Sequence, residues 1–261
     1  MSTHAGAAAA DGGCGGSCGR GVTGCVKVKR GLMNADDKRV ILEAHNEMRS
    51  RVARGQVRMI GDDDDATTLM PTAGAMAKMV WDEELAYLAQ SWADQCNFTT
   101  DCDQCRRTDR LRFVGQNLLR FRGLQSASFV PRWSLAVGNW VSSRRDLPPG
   151  VLSNYTHDDT WASFTQMIWD FTYLVGCGFA SYEEPAAGGG LLGRAFTHLY
   201  ICNYGPAGNV LGTPVYEVGD PCSKCPPSTS CDKVRGLCDY EEDETPAGFI
   251  PSAIDNDHHQ G

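Results

Sequence analysis

Twelve cysteines are the residues of this 261-residue chain with the clearest chemistry. They are an even number and fall in clusters, which is typical of a disulfide framework formed in an oxidising compartment. Two pairs also have the spacing of zinc ligands, namely Cys102 with Cys105 and Cys222 with Cys225. Because further cysteines lie near both pairs, the pattern favours disulfides. The twelve are Cys14, Cys18, Cys25, Cys96, Cys102, Cys105, Cys177, Cys202, Cys222, Cys225, Cys231 and Cys238.

Two N-glycosylation sequons agree with export from the cell. Asn97 begins the sequence Asn-Phe-Thr and Asn154 begins Asn-Tyr-Thr, and such sequons are acceptor sites in secreted proteins. Residues 1–10 have neither the charged n-region nor the apolar h-region of a signal peptide. We therefore predict an extracellular, glycosylated protein whose leader is not visible in the sequence as given.

One cluster of polar residues has the types needed for nucleophilic catalysis. His157 is followed by Asp158 and Asp159, and Ser163 lies six residues after the histidine. A serine nucleophile needs a positioned base, so a His/Asp/Ser triad is one interpretation of this cluster. The other is an exposed loop whose polar side chains are solvated. The second interpretation is favoured, and no catalytic residue is predicted.

Charge and hydropathy argue against two classes of partner. The chain has 24 Lys and Arg against 32 Asp and Glu, a net charge of -8, whereas nucleic-acid binding needs a basic surface. No stretch approaches 18 consecutive apolar residues, which a transmembrane helix would require. Neither nucleic acid nor a membrane span is therefore expected.

Periodic apolar residues predict the elements that would position these groups. The first helix begins at Asn34, a plausible N-cap, and the second begins at Asp82. Helices combined with a late pair of strands indicate a sheet covered by helices on both faces. The predicted elements are helices over residues 34–54, 82–96, 133–144 and 161–169, and strands over residues 173–182 and 194–203.

Changes in composition divide the chain into four parts. Residues 1–33 are a Gly/Ala-rich arm with three cysteines, and residues 34–213 hold the predicted helices and strands. Residues 214–240, called the knot below, hold four cysteines and little apolar material. Residues 241–261 are acidic and polar, and a flexible tail is expected there.

Three motifs in order resemble the signatures of the CAP superfamily, which comprises cysteine-rich secretory proteins, antigen 5 venom allergens and plant pathogenesis-related proteins. They are His45-Asn46 with Arg49, the run 165–178, and the run 202–209 (Cys-Asn-Tyr-Gly-Pro-Ala-Gly-Asn). The resemblance covers about residues 34–213 and implies an α/β fold, a three-layer α-β-α sandwich with a central antiparallel sheet. The arm is similar to arthropod antigen 5, and the knot resembles the hinge of cysteine-rich secretory proteins.

The resemblance also implies disulfide pairings. One pair would tie the two late strands, two would anchor the arm, and two would close the knot. Antigen 5 proteins pair the cysteine at position 96 with one in the arm that this chain lacks, which leaves Cys102 as its expected partner. The implied pairs are Cys177–Cys202, Cys14–Cys25, Cys18–Cys105, Cys96–Cys102, Cys222–Cys231 and Cys225–Cys238.

Many CAP domains place two histidines and two acidic residues around a central cavity that can hold zinc. At the four matching positions this sequence has Thr100, Gln116, Ser143 and Ser163. Hydroxyls and neutral amides are poor zinc ligands. We therefore expect no metal, no cofactor and no metal-activated water.

These observations predict a secreted, non-enzymatic protein of antigen 5 type. The resemblance implies a binding protein for small lipids or other hydrophobic ligands, and a saliva or venom component. The alternative is a protein ligand that modulates a channel or receptor through the knot. A hydrolase is the least favoured interpretation because of the four substitutions.

Overall fold

The computed structural model describes residues 26–31, 33–59, 68–123, 130–185 and 194–240. Most of the predicted arm, including Cys14, Cys18 and Cys25, lies outside this part, as does the predicted tail over residues 241–261. Within the described residues, no helix combines the length and the apolar character needed to cross a lipid bilayer.

The predicted helices are present, and their N-caps explain where they begin. The side chain of Asn34 accepts the N–H of Asp37 at 2.8 Å, while the Asp37 carboxylate accepts the N–H of Asn34 at 3.3 Å. This capping box satisfies two donors of the first turn. Asp82 accepts the N–H of Leu85 at 2.8 Å. The helices are α1 (Ala35–Ala53), α2 (Glu83–Ala93), α3 (Asp103–Arg106), α4 (Trp133–Ser142) and α5 (Ala162–Met167), with 3-10 turns at Ser143–Asp146 and Pro149–Leu152.

The strands of the described residues form a large sheet and a hairpin. The large sheet has the order β1-β4-β5-β3 with antiparallel neighbours, and the two-residue β2 pairs in parallel with β4. The predicted fold class is confirmed, and β2 makes the sheet mixed. The strands are β1 (Val26–Gly31), β2 (Val80–Trp81), β3 (Gly115–Gly123), β4 (Leu174–Pro185) and β5 (Arg194–Gly205), with β6 (Thr229–Asp232) and β7 (Leu237–Tyr240) forming the hairpin.

Helices cover both faces of the large sheet. On one face, α2 packs Ala89 and Ala93 against strands β4 and β5. A Cβ at Gly178 would lie 2.4 Å from the backbone nitrogen of Gln90, so only glycine allows α2 to approach this closely. Helices α1, α4 and α5 contribute to the main core on the other face. Its large side chains include Trp133, Trp140, Phe164, Trp169 and Tyr204.

Three of the predicted disulfides are present. Cys177 and Cys202 lie directly opposite each other on β4 and β5 and are bonded. In the knot, Cys222 pairs with Cys231 and Cys225 pairs with Cys238. Since Cys222 and Cys225 are oxidised in separate disulfides, the zinc interpretation of their spacing does not hold.

The cysteines between residues 96 and 105 depart from the prediction. Cys96, Cys102 and Cys105 are all disulfide-bonded, but none of them is bonded to another described cysteine. The Cys96–Cys102 pair is therefore not formed. Cys102 is the N-cap of α3 and Cys105 lies one turn later, which brings their sulfurs within 3.0 Å on the same side of the helix. The predicted pairs with arm cysteines involve residues outside the described part.

The knot shares its interior with the rest of the fold. Val215, Tyr216 and Leu237 belong to the main hydrophobic core. The N–H of Cys238 donates to the carbonyl of Met76, and the N–H of Lys78 donates to the carbonyl of Cys238, both at 2.8 Å. These bonds fix the hairpin of the knot against the segment that leads into β2.

Candidate functional site

Helix α1 turns three polar side chains toward the interior. His45 and Arg49 are one helical turn apart and Asn46 is adjacent, so they share a face, and all three are buried. The amide of Asn46 donates to the carbonyl of Met79 at 2.9 Å and accepts the N–H of Met79 at 2.7 Å. Asn46 therefore ties α1 to the segment before α2.

His45 is held in a chain of hydrogen bonds. Its Nδ1 lies 2.8 Å from the carbonyl oxygen of Ile41, and its Nε2 lies 3.0 Å from the hydroxyl of Tyr204. A carbonyl only accepts, so Nδ1 carries the proton and Nε2 accepts from Tyr204. Burial lowers the pKa of His45 to about 4. The ring is neutral at physiological pH, and both of its nitrogens are engaged.

Arg49 joins the loop after α5 to the first helix. Its guanidinium donates five hydrogen bonds of 2.7 to 3.1 Å to backbone carbonyls. Burial lowers the pKa of Arg49 to about 9, so the side chain stays charged at neutral pH. The role of Arg49 is structural, because no donor is left over for a ligand. The five acceptors are Ala77, Met167, Trp169, Asp170 and Thr172.

Two of the four cavity positions are occupied by side chains that are already hydrogen-bonded. Gln116 accepts the N–H of Asp101 at 3.2 Å and donates to the side chain of Asn203 at 2.9 Å. The hydroxyl of Ser143 donates to the carbonyl of Trp140 at 2.8 Å and accepts the N–H of Phe164 at 3.1 Å. These neutral groups stabilise local structure at positions where the resemblance implied carboxylates.

The other two cavity positions add no ligand for a metal. Thr100 is exposed, and Ser163 uses its backbone carbonyl to accept the amide of Asn117 at 2.9 Å. Across the described residues, no group of three or more His, Cys, Asp or Glu side chains could hold a metal ion. The donor set of Thr100, Gln116, Ser143 and Ser163 therefore does not fit zinc.

The candidate triad is not assembled. Nδ1 of His157 lies 3.1 Å from the hydroxyl of Tyr155, and Nε2 lies 3.3 Å from the carboxylate of Asp159. Both ring nitrogens thus have partners other than Ser163, which sits in α5. His157 is also more than half exposed, as expected of a solvated loop residue.

Among the described residues, two clefts are open to small molecules. The first, called the apolar cleft, has a volume of about 440 Å³ and lies between the loop before α2, the 3-10 turn at Pro149–Leu152 and the start of the knot. The second, called the mixed groove, has about 650 Å³ and lies between α1, residues 78–81 and Arg235 of the knot. The apolar cleft is lined chiefly by Met59, Leu69, Pro71, Leu152, Tyr216 and Val218.

Comparison with known proteins identifies this architecture. The model of the CAP family, described as the cysteine-rich secretory protein family, matches residues 42–204. This stretch is more than half of the chain, includes the first two motifs and ends within the third. The chain belongs to the CAP family.

Several curated relatives of the chain are named venom allergen 5. The chain is 36% identical to "Venom allergen 5" of Tityus serrulatus over 221 residues, which cover 81% of this chain and 49% of that protein. It is also 36% identical to "Venom allergen 5" of Vespa velutina, over 77% of this chain and 87% of that protein. The chain spans about half the length of several of its curated relatives, including the one from Tityus serrulatus. It is a CAP protein similar to venom allergen 5.

A solved CAP structure supports the fold. The structure titled "Crystal structure of NaASP2 with Zn2+" shares 30% identity and a TM-score of 0.57, and the match covers 79% of this chain and 96% of that one. The structure titled "Structure of BmVAL-1" gives 28% identity and a TM-score of 0.59 over 81% of this chain. Both support the CAP fold class for this chain.

Sequence reasoning located the CAP signatures but missed the clefts. The apolar cleft combines three separate stretches, and its leucines and valines look like core residues in the sequence. For the mixed groove, the sequence offers one local signal, because its lining residue Arg235 lies between the turn-forming residues Asp232 and Gly236.

Of the two sequons, Asn154 is exposed and Asn97 is half-buried; their glycosylation stays a prediction.

Proposed function

We propose that this CAP protein is a secreted, non-enzymatic binding protein for a small hydrophobic ligand. The observation that carries this proposal is the apolar cleft. Its volume of about 440 Å³ is within the range of small-molecule sites, which are concave and mostly apolar with a few polar groups. A ligand there would cover apolar side chains that otherwise face water, since Leu69 is 53% exposed and Val218 is 56% exposed.

The walls of the apolar cleft are fixed before any ligand binds. The N–H of Val215 donates to the carbonyl of Leu152 at 2.9 Å. The hydroxyl of Tyr216 donates to the carbonyl of Pro71 at 2.9 Å. Because a preformed site loses little conformational freedom on binding, this rigidity favours affinity.

The absence of catalysis is the second part of the proposal. It is supported by the neutral side chains of Gln116 and Ser143, which are already hydrogen-bonded, and by the ring nitrogens of His157, which face Tyr155 and Asp159. A nucleophile without a positioned base is not activated. We expect no hydrolysis of ester or peptide substrates, and a Ser163→Ala variant should not change any residual rate.

The test is direct binding to a panel of palmitate, cholesterol and arachidonate, measured by calorimetry at micromolar protein. Val218→Asp places a charge in the apolar cleft and should weaken binding at least about tenfold, since an unpaired charge against an apolar ligand is costly. Val234→Asp is the matched control, because Val234 is 82% exposed and lies outside the cleft. Arg235→Ser tests whether an anionic lipid uses the mixed groove instead.

Two results would contradict the proposal. If no member of the panel binds, the chain is not a binding protein for such ligands. If palmitate and cholesterol bind to Val218→Asp as well as to the unaltered protein, the apolar cleft is not their site.

A second candidate function is a protein ligand that acts on a channel or receptor through the knot. The observation that favours it is the large exposure of Val234, which lies between β6 and β7. Deletion of residues 214–240 is a poor test, because it removes Val215 and Leu237 from the main core. The Val234→Asp variant is sharper, since it should abolish modulation of such a partner while palmitate binding persists.

A further inference from the structure

One stretch of the chain is opposite in charge to the rest. Residues 97–123 contain six arginines and three aspartates, with no lysine or glutamate, so their net charge is +3. The whole chain carries -8, and the remaining residues therefore carry -11. Net charge of either sign gives solubility, so solubility alone does not account for a basic stretch in an acidic protein.

Two of the six arginines are used inside the fold. Arg106 is buried against the carboxylates of Asp101 and Asp103, and its Nε donates to the carbonyl of Val114 at 3.1 Å. Arg110 pairs with Asp82 at 2.7 Å and with Glu84. These side chains hold the segment before β3 against α2, and they are not available to a partner.

The other arginines lie on or just before β3, which is the edge strand of the large sheet in the described part of the chain. Arg107 and Arg112 precede β3, while Arg120 and Arg122 lie near its far end. Arg107 and Arg112 are exposed, and neither forms an ion pair within the described residues. With a rise of about 3.3 Å per residue, the two groups lie roughly 20 Å apart.

Aromatic side chains alternate with these arginines. The guanidinium of Arg120 lies 4.4 Å from the ring centroid of Phe98, and that of Arg112 lies 5.5 Å from the ring of Phe113. Both rings are partly exposed, at 39% and 58%. An aromatic ring supports one face of a guanidinium and leaves its N–H edge free for an anion.

We propose that this edge binds a sulfated polysaccharide, with the row of residues Phe98, Arg107, Arg112, Phe113 and Arg120 as its contact surface. Planar guanidinium groups donate two parallel hydrogen bonds to the oxygens of an oxyanion, and the exposed rings can pack on sugar rings. An elongated polyanion matches a row of cations about 20 Å long. The disulfides of the chain place it where such polymers occur, outside the reducing interior of the cell.

The test is calorimetry with a heparin octasaccharide at 50 mM and 150 mM NaCl. Binding is expected, and it should weaken at the higher salt because exposed charges are screened. The double variant Arg112→Ser/Arg120→Ser should weaken binding at least about tenfold, since charge-assisted hydrogen bonds at both positions are lost. The matched control is Arg58→Ser/Arg145→Ser, which removes the same charge from two exposed arginines that lie outside residues 97–123.

Any of three outcomes would overturn the proposal. They are no binding of the octasaccharide, an equal loss in the control variant, and equally tight binding of desulfated heparin or of a short DNA duplex. Palmitate binding should be the same in the two double variants, because neither pair lies in the apolar cleft. Failure of this proposal and failure of the proposed function are therefore distinguishable.

Discussion

Arginine serves opposite purposes in the interior of this protein and at the edge of its sheet. On the buried face of α1, Arg49 is fully buried and donates all its hydrogen bonds to five backbone carbonyls. At the edge next to β3, Arg112 is exposed and forms no ion pair within the described residues. Arg106 and Arg110 lie between these extremes, with side-chain exposures of 8% and 30%.

The comparison separates residues that hold the fold from residues that are free to bind. Burial of a charge is tolerated only when its hydrogen-bonding groups are satisfied, so a buried arginine such as Arg49 is committed to structure. An exposed ion pair is worth little, so an arginine such as Arg112 can serve recognition at no cost to the fold. The stability effects of arginine substitutions should therefore fall in the order of burial.

The largest effect is expected for Arg49→Met. Methionine fills part of the volume but removes five hydrogen bonds to backbone carbonyls. The carbonyls of Trp169 and Asp170 keep a backbone donor, and each buried carbonyl that loses its donor costs free energy. We expect the free energy of unfolding to fall by about 4 kcal/mol or more. Urea denaturation at pH 7 measures this change, with Arg51→Met as the control on the exposed side of α1. A loss below 1 kcal/mol, as for a surface residue, would contradict the claim that buried arginines hold the fold.

The second prediction concerns His45 and pH. Its pKa is about 4 in the folded protein, against about 6.5 when unfolded. Above pH 6.5 neither state binds the proton, whereas between pH 6.5 and 4 only the unfolded state does. The free energy of unfolding should therefore fall with acidification, by up to about 3 kcal/mol at pH 4.

The variant His45→Gln isolates this contribution. Glutamine keeps polar groups near Ile41 and Tyr204 but does not titrate, so its stability should lack this part of the acid loss. Asp101 and Asp170, whose pKa values burial raises, titrate in both proteins and cancel in the difference. Urea denaturation at pH 7, 5.5 and 4.5 gives the two curves, and parallel curves would refute a buried neutral imidazole.

Arg106→Met should show an intermediate effect. It leaves the buried carboxylate of Asp101 without its ion pair, but that carboxyl can respond by binding a proton, which limits the loss to about 2 kcal/mol at pH 7. The pKa of Asp101 should then rise further, so the variant should regain stability relative to the unaltered protein as pH falls toward 4. Denaturation at pH 7 and 4.5 measures both changes.

The predictions of where helices begin and which faces they bury were correct because they depend on local chemistry. Asn34 and Asp82 marked the starts of α1 and α2, and apolar spacing marked their buried faces. Strand β3 was not predicted, because Leu118 and Leu119 are adjacent and polar residues surround them, so the run lacks the strict alternation that indicates a strand. The Cys96–Cys102 pairing was wrong because both cysteines are bonded outside the described residues, and proximity in the sequence does not determine which cysteines pair.

The candidate sites were harder to predict than the fold, because they combine residues that are far apart in the sequence. The motif residues His45 and Arg49 stood out by type and position, and the structure gives both of them structural roles. The apolar cleft joins Leu69, Leu152 and Val218 from segments far apart in sequence, and no periodicity links them. The arginines of residues 97–123 were visible in the composition, but which of them are paired depends on carboxylates that only the fold brings near.

The smallest expected effects come from neighbouring arginines at the edge. Arg110→Ser removes ion pairs with Asp82 and Glu84, and because these are partly solvated the loss should be about 0.5 to 1 kcal/mol. Arg112→Ser removes none and should leave stability unchanged within about 0.5 kcal/mol. Heparin affinity should show the reverse order, with Arg112→Ser the weaker binder. Thermal denaturation measures the loss of stability of the two variants, and calorimetry measures their loss of heparin affinity. If the variant that loses more stability also loses more affinity, binding and folding are not separated along this edge.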